Sequence, residues 1–193
     1  LVSVAKNAGL SCEAILTDMN QVLGWNAGHT LEVKESIEYL INNKKNKRLE
    51  KITNELAISA LVMIKKIDKN DALKKINDVV HNGKAAEKFE QMVAALGGPK
   101  NLLTSYQFDL PKASYVDQIL SSRKGFIKSI RTRDLGLILI ELGGGRKQIY
   151  DKINFSVGYE NVIDVGSIVD ASTPLVTVHS SSKEIFEKLK NHI

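Results

Sequence analysis

Apolar residues recur at helical spacing through the first half of the chain and at strand spacing through much of the second. Leu1, Val2, Val4, Ala5 and Ala8 repeat like the end of a helix, and Gly9 stands where a C-terminal glycine belongs. This start reads as the last two turns of a helix whose beginning lies upstream. The apolar run Cys12 to Thr17 predicts a short strand, so that helix end, turn and strand form one piece of an alternating α/β arrangement. A polar loop with two glycines, Asp18 to His29, comes next. Thr30 is expected to cap a helix running to about Asn42, with Glu32 in its first turn and Leu31, Val33, Ile37, Leu40 and Ile41 as its apolar positions.

Three further helices are expected. Leu49, Ile52, Leu56, Ala60, Met63, Ile64 and Ile67 form one stripe. Leu73, Ile76, Val79 and Val80 form a second, ended by Asn82-Gly83, and Phe89, Met92, Val93 and Leu96 a third, ended by Gly97-Gly98. Near Pro111 the character changes. Strands are predicted over Tyr115 to Leu120, Phe126 to Ile130, Val157 to Ile163 and Leu175 to His179, interrupted by a helix from Asp134 to Leu142 and closed by one from Lys183 to Asn191. A boundary is therefore expected at 108–113. The fold class read from this pattern is mixed α/β: residues 1–110 as part of a larger α/β domain, then a smaller strand-rich α+β domain over 111–193.

Composition narrows the class. A quarter of the 193 residues are charged and 43% are hydrophobic, as in ordinary globular proteins. The single cysteine, Cys12, excludes an internal disulfide and fits a reducing compartment. The strongest apolar stretch, Leu135 to Leu142, carries Glu141 and is far too short to span a bilayer. With no signal-peptide pattern at the start, a cytoplasmic protein without membrane partners is expected. The net charge is +5, with much of the excess in Lys44, Lys45, Lys47, Arg48 and Lys51. No aromatic residue is interleaved there for base stacking, so the run reads as a solvated loop between helices rather than a nucleic-acid surface.

Few residues group into recognisable chemistry. The loop from Thr17 to Gly28 lies between an expected strand and a helix start, a position where α/β folds bind anions or ions. Glu32 and Glu35, three apart, share one side of the helix, and either could join loop carbonyls in an oxygen-only cation site. The plainer alternative has Glu32 favouring the helix dipole and Glu35 solvated or salt-bridged. Gly143-Gly144-Gly145-Arg146 follows a helix instead of preceding one, so it reads as helix termination and not as a phosphate cradle. The four histidines are scattered, no zinc pattern exists with Cys12 alone, and Ser180 to Ser182 supply an N-cap.

Ordered segments nonetheless carry a specific likeness. They are T-D-M-N-Q-V-L-G (17–24), G-H-T-L-E-V-K-E (28–35), N-G-K-A-A-E-K-F (82–89), L-P-K-A (110–113), T-R-D-L-G (132–136), E-L-G-G-G-R (141–146), D-K-I-N-F-S-V-G (151–158) and P-L-V-T-V-H (174–179). Together the chain resembles the C-terminal half of the thymidine and pyrimidine-nucleoside phosphorylases, and L-E-V looks closer to their thymidine branch. The resemblance implies a homodimeric pentosyltransferase of pyrimidine salvage, with a pyrimidine nucleoside and inorganic phosphate as its substrates. It implies that the groups gripping phosphate and base lie N-terminal to the segment matching Leu1, so no catalytic, phosphate-binding or substrate-binding residue is assigned here. It also implies one ion site: some members bind potassium through carbonyls and a glutamate that match Leu23, Asn26 and Glu35. Asn26 stands at a position where the family has Ala, Val22 where Pro is frequent, Asn154 where Asp is common and Ser172 where a turn glycine is usual.

A different class is an assembly module. Gly125-Phe126-Ile127 and Gly166-Ser167-Ile168-Val169 are similar to the barrel-sandwich outline of biotinyl and lipoyl carriers. Such a carrier needs a lysine at a hairpin tip, and Lys128 and Lys152 lack that setting.

Overall fold

The structure, a computed structural model, describes residues 1–193. A short helix α1 (Val2–Asn7) ends as expected: Gly9 adopts φ +78°, and its N–H and that of Leu10 donate back to the carbonyls of Lys6 and Ala5. The expected strand over Cys12–Thr17 is absent. Residues 11–20 make no backbone–backbone hydrogen bond, and an apolar run without a paired neighbour cannot form a ladder. No named strand precedes Tyr115, so the alternating α/β pattern expected for the first half gives way to helices.

Those helices are α2 (His29–Leu40), α3 (Lys47–Lys65), α4 (Lys69–His81), α5 (Lys84–Ala95) and α6 (Leu102–Asp109). The N-cap of α2 is Gly28 instead of Thr30, and Ile41 is its C-cap. Asn46 caps α3 by accepting hydrogen bonds from Arg48 and Leu49 N–H at 2.9 and 3.2 Å; Asp68 caps α4 in the same way. Tyr39 of α2 meets Ile58, Ala72, Ile76 and Val80 of α3 and α4, and Ile37 meets Leu102 and Tyr106 of α6. The stripe expected on α3 is not its packed face. Ile58 is buried with Leu61 and Val62 beside it, while Leu56 and Ile64 are exposed. Helix α3 is apolar on more than one side, so periodicity could not choose between them.

The strands follow in β1 (Tyr115–Leu120), β2 (Gly125–Phe126), β3 (Gly158–Glu160), β4 (Ile168–Val169) and β5 (Pro174–Ser180). One antiparallel sheet has the order β1-β5-β3, and β2 pairs with β4 separately. Strand β3 is shorter than the apolar run suggested because Asn161, at φ +54°, turns the chain out of the ladder. Strand β2 is likewise cut to two residues. Helices α7 (Thr132–Glu141) and α8 (Lys183–Leu189) pack on the larger sheet. Their Ile138, Phe186 and Leu189 close over Val157, Tyr159, Val176 and Val178. The glycine run does terminate α7: Gly143 has φ +97°, and Gly144 N–H returns to Leu139 O. Ser182 caps α8. No helix is long and apolar enough to cross a membrane.

Candidate functional site

The segment 21–28 is gripped between α2, the start of α3 and the C-terminal sheet. Ala27 and Tyr159 exchange backbone hydrogen bonds of 2.9 and 2.7 Å, and Val162 N–H donates to Trp25 O at 2.8 Å. Two glycines permit this approach. A Cβ on Gly28, which has φ +132°, would lie 2.6 Å from Val157 O; one on Gly158 would meet Ala27 O and come within 3.1 Å of Gly28 Cα. Tyr159 is fully buried, and its hydroxyl donates to Leu135 O at 3.1 Å.

The two glutamates divide the work. Glu32 accepts from Gly28 N–H at 3.0 Å and so satisfies the start of its own helix, as the dipole reading expected. Glu35 is neither solvated nor salt-bridged. It is buried, and its carboxylate accepts from Trp25 N–H at 2.8 Å and Asn26 N–H at 3.1 Å. Burial raises its pKa, opposed by those two backbone hydrogen bonds. At the start of α2, Thr30 N–H donates to Phe155 O at 3.2 Å, so with Gly28 two of the first N–H groups are satisfied from within the protein. His29 adds a hydrogen bond to Gly144 O at 3.2 Å and an edge-to-face contact with Phe155.

Asn26 explains its own presence. Its Nδ2 donates to Leu31 O at 3.1 Å, and its Oδ1 accepts from Asn161 N–H at 3.1 Å. An Ala there would keep the backbone N–H to Glu35 but lose both side-chain ties, to Leu31 O of α2 and to the end of β3. Asn154, another departure from the resemblance, folds back to accept from Ser156 N–H and Oγ–H.

Sequence reasoning missed two charged centres. Arg48, placed within a solvated basic run, turns into the loop: Nε donates to Leu23 O at 2.9 Å, and the terminal nitrogen donates to Val22 O and reaches Gly24 O at 3.4 Å. Asp164 lies 3.6 Å away. Lys44 and Lys47 remain exposed, and Lys45 sits over the Tyr39 ring, so the basic run is not one surface. The signal for Arg48 was available, because a positive side chain in the first turn of a helix opposes the dipole and calls for a partner.

The second centre joins the two halves of the chain. Glu160 accepts from His179 Nε2 at 3.1 Å and from Lys34 Nζ at 2.6 Å. The His179 hydrogen bond, against the cost of burial and with the help of Lys34, pulls the Glu160 carboxyl down to about 2. For Lys34, burial works downward, but the hydrogen bond and charge of Glu160 outweigh it and the pKa is raised. A cavity of about 500 Å³ opens beside this network, between α2, α6 and β5, with Tyr106 and Lys112 on its wall. No residue spacing announces a partnership across 126 positions.

The three residues that the resemblance assigns to potassium lie close together here, and the oxygens of Leu23 and Glu35 already accept hydrogen bonds. Leu23 O accepts from Arg48, and both Glu35 oxygens accept backbone N–H groups. A single positive charge already stands against three successive carbonyls. A cation bound to Leu23 O would lie beside that fixed positive charge. The lysines a carrier domain would need are not at hairpin tips either: Lys128 follows the β2–β4 pairing, and Lys152 lies in the loop before β3.

The C-terminal sheet that receives this loop has a known counterpart. Residues 126–193 match the family model described as the pyrimidine nucleoside phosphorylase C-terminal domain. Strand β1 lies outside the matched segment but pairs with β5 from Tyr115 to Leu120, so the folded unit begins earlier than the match. The match covers roughly the last third of the chain, which is therefore similar there to the C-terminal domain of the pyrimidine nucleoside phosphorylases.

Proposed function

We propose that this chain is the scaffolding part of a thymidine phosphorylase. Such an enzyme cleaves a pyrimidine deoxynucleoside with inorganic phosphate, giving free base and 2-deoxyribose 1-phosphate. The observation that carries the proposal is the family match over 126–193 together with its partner inside the chain: the matched domain is hydrogen-bonded, through Ala27 and Tyr159, to the loop that carries the T-D-M-N-Q-V-L-G and L-E-V-K-E likeness.

In this reading phosphate attacks the anomeric carbon as the pyrimidine departs, through a transition state with oxocarbenium character. The groups that hold phosphate in line and neutralise the leaving base come from polypeptide outside residues 1–193. The chain contributes rigidity: Glu35 and Asn26 fix the loop on α2, and Glu160 fixes α2 to the sheet. The proposal extends to a cytoplasmic homodimer acting in nucleoside salvage. Residues 1–110 would then belong to the catalytic domain and 111–193 to the C-terminal domain.

Thymine release from thymidine and phosphate tests it, measured on the isolated 193 residues and on the polypeptide extended N-terminally. Turnover is expected only from the extended form, with thymidine preferred to uridine. Robust turnover by residues 1–193 alone would overturn the placement of the active site. An extended form inactive on every pyrimidine nucleoside would overturn the activity.

A further inference from the structure

We infer that Arg48 takes the place of a bound monovalent cation at the 22–24 loop, so that the loop is closed by a charge built into the chain. A guanidinium and a potassium ion carry the same charge and seek the same oxygens. They differ in that the guanidinium is planar, with donors in a fixed fork. A row of carbonyls from Val22, Leu23 and Gly24 suits that fork.

Arg48 is aimed at this row by its helix. Asn46 accepts the N–H groups of Arg48 and Leu49, fixing the first turn of α3, and the side chain leaves that turn only about one-fifth exposed. A cation at this end of a helix is disfavoured by the dipole, so the position needs compensation. The three carbonyls and Asp164 of the C-terminal domain supply it. The Glu35 carboxylate, packed against Gly24, accepts one backbone N–H at each oxygen, from Trp25 and Asn26. An ion sharing Leu23 O would meet the Arg48 charge at close range.

The inference rests on loop geometry and not on the proposed activity, and its test does not measure turnover. Thermal unfolding of the protein, with whatever polypeptide adjoins Leu1 in its native form, is compared in potassium chloride and choline chloride at equal ionic strength. The wild type is expected to melt at the same temperature in both. Arg48→Ala is expected to melt roughly 2–4 °C lower or more in choline. Recovery of that variant by potassium would show that the vacated carbonyls accept the ion. A destabilised variant indifferent to potassium would equally support the inference, because the lost donors are directional. A saturable, potassium-specific rise in the wild-type melting temperature would overturn it, as would an Arg48→Ala protein as stable as the wild type. Should the variant not fold, the wild-type comparison still decides.

Discussion

Gly24 lies flat against the Glu35 carboxylate: a Cβ on Gly24 would come 2.5 Å from Oε2 and 2.6 Å from Cδ. This glycine is required by closeness, since its φ is not in the left-handed region. The loop can wrap Glu35 tightly enough to donate Trp25 and Asn26 N–H only if nothing projects from residue 24.

Two substitutions should therefore act through one contact. Glu35→Gln keeps the shape but turns an NH2 toward a backbone N–H, leaving a buried donor unsatisfied, and is expected to cost about 1–3 kcal/mol. Gly24→Ala should destabilise by overpacking, also by roughly 1–3 kcal/mol. In urea denaturation, the double variant is expected to lose less than the sum of the singles, because both disturb the same pair. Full additivity would mean that the contact is not shared.

Glu160 makes stability depend on acid. Its folded pKa, held at about 2 by His179 and Lys34, lies below the ordinary value of 4.5. The unfolded state therefore binds a proton first as pH falls. The stabilisation is complete above about pH 4.5 and disappears as pH drops toward 2, amounting to roughly 2–3 kcal/mol. Glu35, whose pKa is raised, works in the opposite sense, so the comparison that isolates Glu160 is wild type against Glu160→Gln. The variant should show a shallower loss of stability between pH 5 and 2. Parallel curves would rule out the network as the source.

Tyr159 serves both as core and as tether. Tyr159→Phe removes only the hydroxyl that reaches Leu135 O and should cost about 1 kcal/mol. Tyr159→Ala empties the centre of the C-terminal core and should cost about 3–5 kcal/mol. Chemical denaturation checks both. Equal losses from the two variants would place the whole effect in the hydrogen bond.

Much of the local structure was legible from residue order alone. The Gly9, Gly143 and Ser182 caps follow from backbone freedom and side-chain acceptors within a few positions, and helical periodicity located α2 to α5. The paired faces of α4 were readable too, because Ile76 and Val80 recur on a helix whose other side is polar. The Cys12–Thr17 strand failed because an extended run becomes a strand only when another strand accepts its hydrogen bonds. The packed face of α3 was misread because its apolar residues surround the helix.

Sequence by itself determined the helices, their ends, the change of character near Pro111 and, through ordered segments, the likeness to a family. Tertiary structure alone decided that Arg48 lies against Leu23, that Glu160 links Lys34 to His179, and that Glu35 accepts the backbone N–H groups of Trp25 and Asn26. The reason is one of range. Caps and periodicity depend on neighbours three or four residues away, whereas a buried charge is stabilised by whichever groups the fold brings within hydrogen-bonding reach, however distant along the chain.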